Sequence, residues 1–319
     1  MSNITVIILT HNEEVHIARA IESVSQLGGM VHVVDSFSSD RTCELARSHG
    51  AKVTQHKFLN QAQQLQWALK HLCISSEWVL RLDADEILTD KLRAEMISKL
   101  PTLPSTVNGV YLRLRYIFMG RKLLYGGRSL KLLRLFRRDC VTVNQRWMDE
   151  RLEVTGGRCI VFDNFMFDVN LKNITFFTYK HNNYSTREAI EVLRRRFSLW
   201  DVNIDSPNTT FSNKFKSSIK ANVYQVVPFW LSPFAYFFYR YVILLGFLDG
   251  REGLVYHVMQ GLWYRFLVGA KVEEYDRSLR RLTNRGARIS ELGRLTGYPL
   301  EEYAEKGSEF EFTRIPSVE

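Results

Sequence analysis

The chain has 319 residues and a formal net charge of +9, and its length allows one large domain plus an accessory region. Its four cysteines form no CxxC pair, which excludes a disulfide framework and a zinc site and predicts free thiols in a reducing cytosol. The first nine residues lack a basic start and run into an apolar segment, so no signal peptide is expected.

The first hundred residues predict alternating strands and helices. The apolar, β-branched run Ile4–Leu9 is typical of a parallel strand covered on both faces, and residues 15–27 are apolar at helical spacing. Further strands and helices are predicted at 31–34, 41–48, 52–54, 61–71 and 78–82. This series predicts an α/β fold with a parallel sheet and right-handed crossovers.

Polar side chains follow three of these strands. They are Thr10, Asn12 and Glu14 after the first strand, Asp35 and Asp40 after the second, and Asp83 and Asp85 after the last. The carboxyl ends of parallel strands meet at one sheet edge, where α/β folds hold ligands, so we expect these side chains to lie close together. The alternative is that each is an ordinary helix cap or turn former.

Asp83 and Asp85 are separated by one residue and are expected to face the same space. Two convergent carboxylates repel each other unless a cation lies between them, which predicts Mg²⁺ or Mn²⁺ shared with a substrate diphosphate. The alternative is a solvated acidic turn before a helix capped by Thr89 or Asp90. Neither GxGxxG nor GxxxxGK[ST] follows the first strand, so neither a dinucleotide site nor a P-loop is predicted.

These segments resemble those of family 2 glycosyltransferases of the GT-A fold. Residues 7–14 resemble the family's nucleotide-binding start, 34–42 its V-D-S-G-S-x-D-x-T loop and 81–86 its DxD motif, in the same order and spacing. The block Leu133–Arg138 is similar to one in the bacterial lipopolysaccharide-core glucosyltransferase branch. Two features depart from the family: Phe37 stands where Gly is usual, and Gln64–Gln66 lacks the usual basic residue.

The resemblance implies a GT-A fold with a mostly parallel sheet flanked by helices, and it implies a nucleotide-sugar donor. Its donor-binding residues would be Thr10, Asn12, Glu14 and Asp35 around the uracil and ribose, with Asp83 at the nucleotide sugar. Asp85 would hold Mg²⁺ or Mn²⁺ on the diphosphate. The donor implied by the branch is UDP-glucose, with other UDP-hexoses and UDP-N-acetylhexosamines as alternatives.

Inverting glycosyl transfer needs a carboxylate that takes the proton of the acceptor hydroxyl. The segment Arg146–Arg151 matches the place where the family carries this base. We favour Asp149 as the catalytic residue, because the base of the broader family is commonly an Asp in such an acidic pair, and Glu150 is the close alternative. A solvated acidic turn paired with the flanking arginines is the non-catalytic interpretation.

The positive charge is concentrated in residues 113–158, which hold twelve Lys or Arg and four Asp or Glu. Such a block suits a diphosphate leaving group, a phosphorylated acceptor or an anionic membrane surface. No helix-turn-helix, zinc-finger or ribonucleoprotein motif is visible, so nucleic acid is not an expected partner.

The second half of the chain is helical and rich in aromatic residues, with fourteen of the forty aromatics between Tyr224 and Ala270. The apolar stretches Phe229–Leu248 and Leu254–Ala270 also carry basic residues, which predicts helices at the headgroup interface on the cytoplasmic face of a bacterial inner membrane. The alternatives are a buried hairpin that packs on the catalytic domain, the same hairpin on a second subunit of a homo-oligomer, and a single membrane span.

The sequence therefore predicts a GT-A catalytic domain at 1–185, a membrane-associating helical region at 186–275 and a polar tail at 276–319. The predicted activity is metal-dependent, inverting transfer of a hexose from a UDP-sugar to an envelope glycan, such as lipopolysaccharide core or a lipid-linked saccharide. The alternative from another class is a non-catalytic nucleotide-sugar-binding or scaffold protein on the same fold. A nucleotidyltransferase would need a Gly-rich basic loop where Thr10–Glu14 is acidic.

Overall fold

The computed structural model describes residues 4–58, 61–127, 129–144, 151–200 and 228–306. The chain divides into two compact units, Met1–Asn173 and Ile174–Glu319.

The first unit is built on a nine-stranded sheet in the order β3-β2-β1-β4-β8-β6-β11-β5, with β7 paired to β6. A separate antiparallel pair consists of β9 and β10. The strands are β1 Ile4–Thr10, β2 Val31–Asp35, β3 Lys52–Gln55, β4 Trp78–Asp83, β5 Glu86–Leu88, β6 Val107–Phe118, β7 Arg121–Lys122, β8 Leu130–Arg137, β9 Val141–Asn144, β10 Arg151–Val154 and β11 Arg158–Val169.

The sheet is parallel where the sequence predicts alternating strands and helices, and mixed beyond. Strands β3, β2, β1 and β4 pair in parallel. Strand β8 pairs antiparallel with both β4 and β6, and β11 pairs parallel with β6 but antiparallel with β5. The predicted α/β class is confirmed, and the antiparallel pairs come from the second half of the unit.

Helices cover both faces of the parallel strands. They are α1 Ile17–Val24, α2 Thr42–Ser48, α3 Gln61–His71 and α4 Asp90–Lys99. On one face of β1, Ile8 packs in a buried cluster with Ile21 of α1 and Leu92 of α4, while Ile7 on the other face packs with Leu65 of α3. This alternation explains why β1 is apolar throughout: both of its faces are buried.

The second unit is helical in its described part. Its α-helices are α5 Ile174–Phe197, α6 Ser232–Phe238, α7 Gly250–Tyr256, α8 Tyr264–Leu279, α9 Arg285–Thr296 and α10 Leu300–Lys306. Two π-helical segments, Tyr239–Ile243 and His257–Trp263, interrupt the aromatic region. Helix α5 packs along α8, where Lys271 Nζ donates to Asn182 Oδ1 at 2.8 Å and Tyr264 Oη to Glu188 at 2.6 Å. The prediction of a helical, aromatic-rich C-terminal region is confirmed, and none of the described helices has the length and apolar character needed to cross a membrane.

Candidate functional site

Three strand ends lie side by side at one edge of the first unit's sheet. Thr10 is opposite Asp35 in the β1–β2 ladder, and Leu9 is opposite Asp83 in the β1–β4 ladder. Asp85 lies in the turn between β4 and β5. The structure thus brings Thr10, Asp35 and Asp83 to adjacent positions because parallel strands in register end together.

Asp35 is fully buried and accepts several hydrogen bonds. Its donors are Thr10 Oγ1 at 3.1 Å, the Ser38 backbone N–H at 2.9 Å, Gln55 Nε2 at 3.2 Å and the Ser38 hydroxyl. Burial raises the pKa of Asp35, but the hydrogen bonds from Ser38 and Gln55 outweigh it and leave the pKa below its ordinary value. Asp35 is therefore an ionised group that fixes the loop after β2.

The loops after β1 and β2 are joined to each other. Asn12 N–H donates to Ser38 Oγ at 2.8 Å, and Asn12 Oδ1 accepts from Ser39 N–H at 2.9 Å. The Glu14 carboxylate accepts from Arg41 N–H at 3.1 Å. Asn12 and Glu14, both predicted to bind the donor, thus stabilise the loop that follows Asp35.

Phe37 adopts a left-handed backbone conformation, with φ of 57°. This region favours glycine, which is the residue usual at this position in the resembling family. The loop therefore keeps a conformation that suits Gly although Phe occupies it, and the Phe37 ring is 59% exposed.

Asp83 lies between two arginines. Arg81 contacts Asp83 Oδ1 at 2.9 Å, and Arg134 contacts Asp83 Oδ2 at 2.7 Å and Glu86 Oε1 at 2.6 Å. Glu86 is almost completely buried, which raises its pKa. Sequence reasoning missed the role of Arg134, although the arginine lies in the Leu133–Arg138 block on which the family-branch resemblance depends.

Asp85 is the carboxylate that the sequence predicts as the metal ligand. It is partly exposed and accepts from Asn170 Nδ2 at 3.3 Å, while its own carbonyl accepts from Val169 N–H at 2.8 Å. Within the described ranges, no group of three or more His, Cys, Asp or Glu is arranged to hold a metal ion. This donor set fits Mg²⁺ or Mn²⁺ bound by one protein carboxylate and a substrate diphosphate, and it does not fit a metal enclosed by protein ligands.

Residues after β11 join the first loop to this acidic turn, a connection that no local sequence pattern indicates. Lys172 Nζ donates to Asn12 O and to Glu13 Oε1, both at 2.9 Å. Leu171 N–H donates to His16 Nε2 at 2.8 Å, so the His16 ring carries its proton on Nδ1 and donates it to Glu13 at 2.5 Å. Burial raises the pKa of Glu13, but His16 and Lys172 together bring it below its ordinary value.

Two predicted residues have no structural description here. Asp149 and Glu150, the candidate catalytic bases, lie outside the described residues.

Gln64, in the segment that lacks the family's basic residue, is buried and donates to Ser36 Oγ at 3.2 Å. That segment therefore contributes a hydrogen bond to the loop after β2.

Known proteins similar to this chain are glycosyltransferases. An uncharacterized glycosyltransferase of Rickettsia typhi is 42% identical over 96 residues, which cover 30% of this chain and 32% of that protein. An uncharacterized glycosyltransferase of Rickettsia prowazekii is 40% identical over 96 residues, again with 30% and 32% covered. The chain thus spans about a third of the length of these relatives.

Among solved structures, glucosyl-3-phosphoglycerate synthase from Mycobacterium tuberculosis, in complex with Mg²⁺ and uridine diphosphate, is 24% identical. The likeness covers 36% of this chain and 43% of that one, with a TM-score of 0.30, and is too weak for any inference about this chain. The sequence profile of Glycosyl transferase family 2 matches residues 5–148, the part of the first unit that contains all three strand ends of the site. Residues 5–148 of the chain are thus similar to glycosyl transferase family 2.

Proposed function

We propose that this protein transfers a hexose from a UDP-sugar to an acceptor hydroxyl, with inversion at the anomeric carbon. The observation that carries this proposal is the alignment of Thr10, Asp35 and Asp83 at three adjacent strand ends, with Asp85 in the turn that follows. The base and ribose lie at the β1 and β2 loops, and the diphosphate lies at the β4 turn. The match of residues 5–148 to glycosyl transferase family 2 supports the reaction class.

Asp85 would hold Mg²⁺ or Mn²⁺ in this proposal, and the cation would supply positive charge to offset the charge that develops on the leaving diphosphate. Arg81 and Arg134 fix the orientation of the Asp83 carboxylate. Asn170 orients Asp85 through its side-chain amide. Asp149, or its neighbour Glu150, takes the proton of the acceptor hydroxyl, a role assigned from the family resemblance.

The proposed acceptor is a bacterial envelope glycan, such as lipopolysaccharide core or a lipid-linked saccharide, reached at the cytoplasmic face of the inner membrane. The support is an exposed apolar surface of the second unit, which we call the aromatic surface. A surface of this kind suits a membrane interface. Its exposed large side chains are Phe229, Trp230, Leu231, Phe234, Phe238, Tyr239, Val242, Ile243, Leu245, Phe247, Leu248, Leu254 and Phe266.

Calorimetric titration with a panel of UDP-sugars, in Mn²⁺, in Mg²⁺ and in EDTA, tests the donor site. We expect metal-dependent binding of one sugar, and we expect Asp85→Asn to abolish the metal dependence. Asp90→Asn is the matched control, because Asp90 lies five residues away and its side chain is 91% exposed. Unchanged metal-dependent binding by Asp85→Asn would refute the role of this residue.

Turnover separates the enzyme from a non-catalytic donor-binding protein. An enzyme hydrolyses or transfers the bound sugar slowly even without its natural acceptor, and this is measured as release of UDP. Donor binding without any release of UDP, in the presence of membrane extracts that contain acceptor glycans, would favour the scaffold interpretation.

A further inference from the structure

We infer that the Phe37 ring stacks on the base of the nucleotide donor, a contact that a glycine at this position cannot make. This inference rests on the proposed function, since it concerns the same donor. It would make Phe37 a further donor-binding residue.

The position of Phe37 favours the base over the phosphates. Phe37 lies two residues after Asp35, at the carboxyl end of β2. Strand β2 is next to β1 on the side away from β4, whose following turn carries Asp85. Neighbouring strands are about 4.8 Å apart, so the ends of β2 and β4 are separated by roughly 10 Å. A nucleoside diphosphate whose phosphates lie at Asp85 therefore extends its base toward Phe37.

Neighbouring hydrogen bonds keep Phe37 in its left-handed conformation. On one side, Ser36 N–H donates to Thr10 O at 2.9 Å and the Ser36 carbonyl lies 3.1 Å from His11 Nδ1. On the other side, Ser38 N–H donates to Asp35 at 2.9 Å. A non-glycine residue persists in such a conformation only when its surroundings determine it, and residues of this kind concentrate at ligand sites.

The ring itself contributes little to folding. Phe37 is 59% exposed, so a large apolar side chain remains in solvent in addition to the backbone strain. Glycine would remove both costs at once. An aromatic ring offers what glycine lacks: a flat face on which a nucleobase stacks regardless of its identity.

The test compares Phe37→Gly and Phe37→Trp with wild type in calorimetric titrations of UDP in Mn²⁺. Loss of an aromatic stacking partner lowers the affinity by about tenfold, so we expect that reduction for Phe37→Gly. Phe37→Trp keeps a stacking face and is expected to bind as tightly as wild type or more tightly.

Met119→Gly is a matched control, because Met119 has φ of 50° and is also 59% exposed. It lies between β6 and β7, four strand positions from β2 in the sheet. We expect both glycine variants to raise the melting temperature slightly, and only Phe37→Gly to weaken UDP binding. Melting temperatures thus separate relief of strain from loss of the ligand contact.

Two results would overturn the inference. One is UDP affinity of Phe37→Gly equal to that of wild type. The other is an equal loss for Mn²⁺-pyrophosphate, which has no base and would place the effect on the phosphates. A wild-type protein that binds neither UDP nor any UDP-sugar would instead refute the proposed function.

Discussion

Arg134 pairs with two carboxylates that flank the acidic turn between β4 and β5. It is nearly buried, and one of its nitrogens contacts both Asp83 and Glu86. Without this arginine, two carboxylates would face each other, and one of them is deeply buried. A buried charge that loses its partner destabilises a protein by about 3–5 kcal/mol.

We therefore expect Arg134→Met to lower the free energy of unfolding by about 3 kcal/mol, measured by urea denaturation. Adding Glu86→Gln should recover most of this loss, because the glutamine is neutral and still accepts the hydrogen bond from Asp83 N–H. The control is Arg41→Met, which removes an ion pair with Glu44 that is two-thirds exposed on both sides and should change the free energy of unfolding far less than Arg134→Met does. A double variant no more stable than Arg134→Met would contradict this account.

The residues of the candidate site differ in how far the sequence alone predicts them. Thr10, Asp35 and Asp83 are predictable because each ends an apolar run whose length and composition indicate a strand. The contacts of Arg134 and Lys172 are not, because they reach partners 48 and 160 residues away and no local pattern fixes such pairings. The strain at Phe37 appears in the sequence only as a departure from the family's glycine.

At the scale of elements, α4 and β11 are joined through an irregularity in the strand. The pairing of β11 with β6 shifts between Val161 and Phe165. Glu95 of α4 accepts there from Asp163 N–H at 3.0 Å and from Asn164 N–H at 2.9 Å. Backbone amides at a bulge leave the regular ladder, and here a carboxylate from the covering helix satisfies them.

This arrangement predicts a pH dependence of stability. Burial raises the pKa of Glu95, but the hydrogen bonds from Asp163, Lys99 and Asn164 lower it to about 2, from an ordinary value of 4.5. Because the folded-state pKa is the lower one, the contribution is fully present above pH 4.5 and is lost as the pH falls toward 2. We expect wild type to lose about 2 kcal/mol more than Glu95→Gln between pH 5 and pH 2.5.

Urea denaturation at pH 5 and pH 2.5 measures this difference. Glu44→Gln serves as the control, because Glu44 is an exposed carboxylate with an arginine partner. If the free energy of unfolding changed with pH by the same amount in wild type and in Glu95→Gln, Glu95 would not stabilise the bulge.

The elements themselves were predictable only in part. Strands β1 to β4 follow from the alternation of apolar runs and amphipathic helices, which is local information. From β6 to β11 the strands follow one another without an intervening α-helix, and the order of β5 to β11 in the sheet depends on pairing between distant segments. The parallel half of the sheet was therefore foreseen, and the mixed half was not.

At the scale of the whole molecule, two features bear on the proposed membrane association: the net charge of +9 and the aromatic surface. We expect the full-length protein to sediment with vesicles that contain anionic lipid, and to do so less as salt rises, because added ions screen surface charges. We expect vesicle binding to weaken by at least about tenfold in the triple variant Phe234→Ser/Phe238→Ser/Ile243→Ser, since this variant loses three large apolar contacts.

The control for this prediction is Ile97→Ser/Leu124→Ser, which removes exposed apolar side chains from the first unit. Both variants are compared with wild type by circular dichroism to verify folding. Equal vesicle binding by the aromatic-surface variant and wild type would favour a role for this surface in contacts between proteins.

The edge position of β5 has a consequence for synthesis of the chain. The turn with Asp85 lies between β4 and β5, and the neighbour of β5 in the sheet is β11, which ends at Val169. A nascent chain that has emerged only to residue 150 already contains every predicted donor-binding residue, yet it lacks the strand that covers β5 and the Asn170 that orients Asp85. On the ribosome, the hydrogen bonds between the loops after β1 and β2 can therefore form before β5 gains its sheet neighbour. The candidate site becomes complete only when residues 158–172, which include the partners of Asn12, Glu13 and Asp85, leave the exit tunnel.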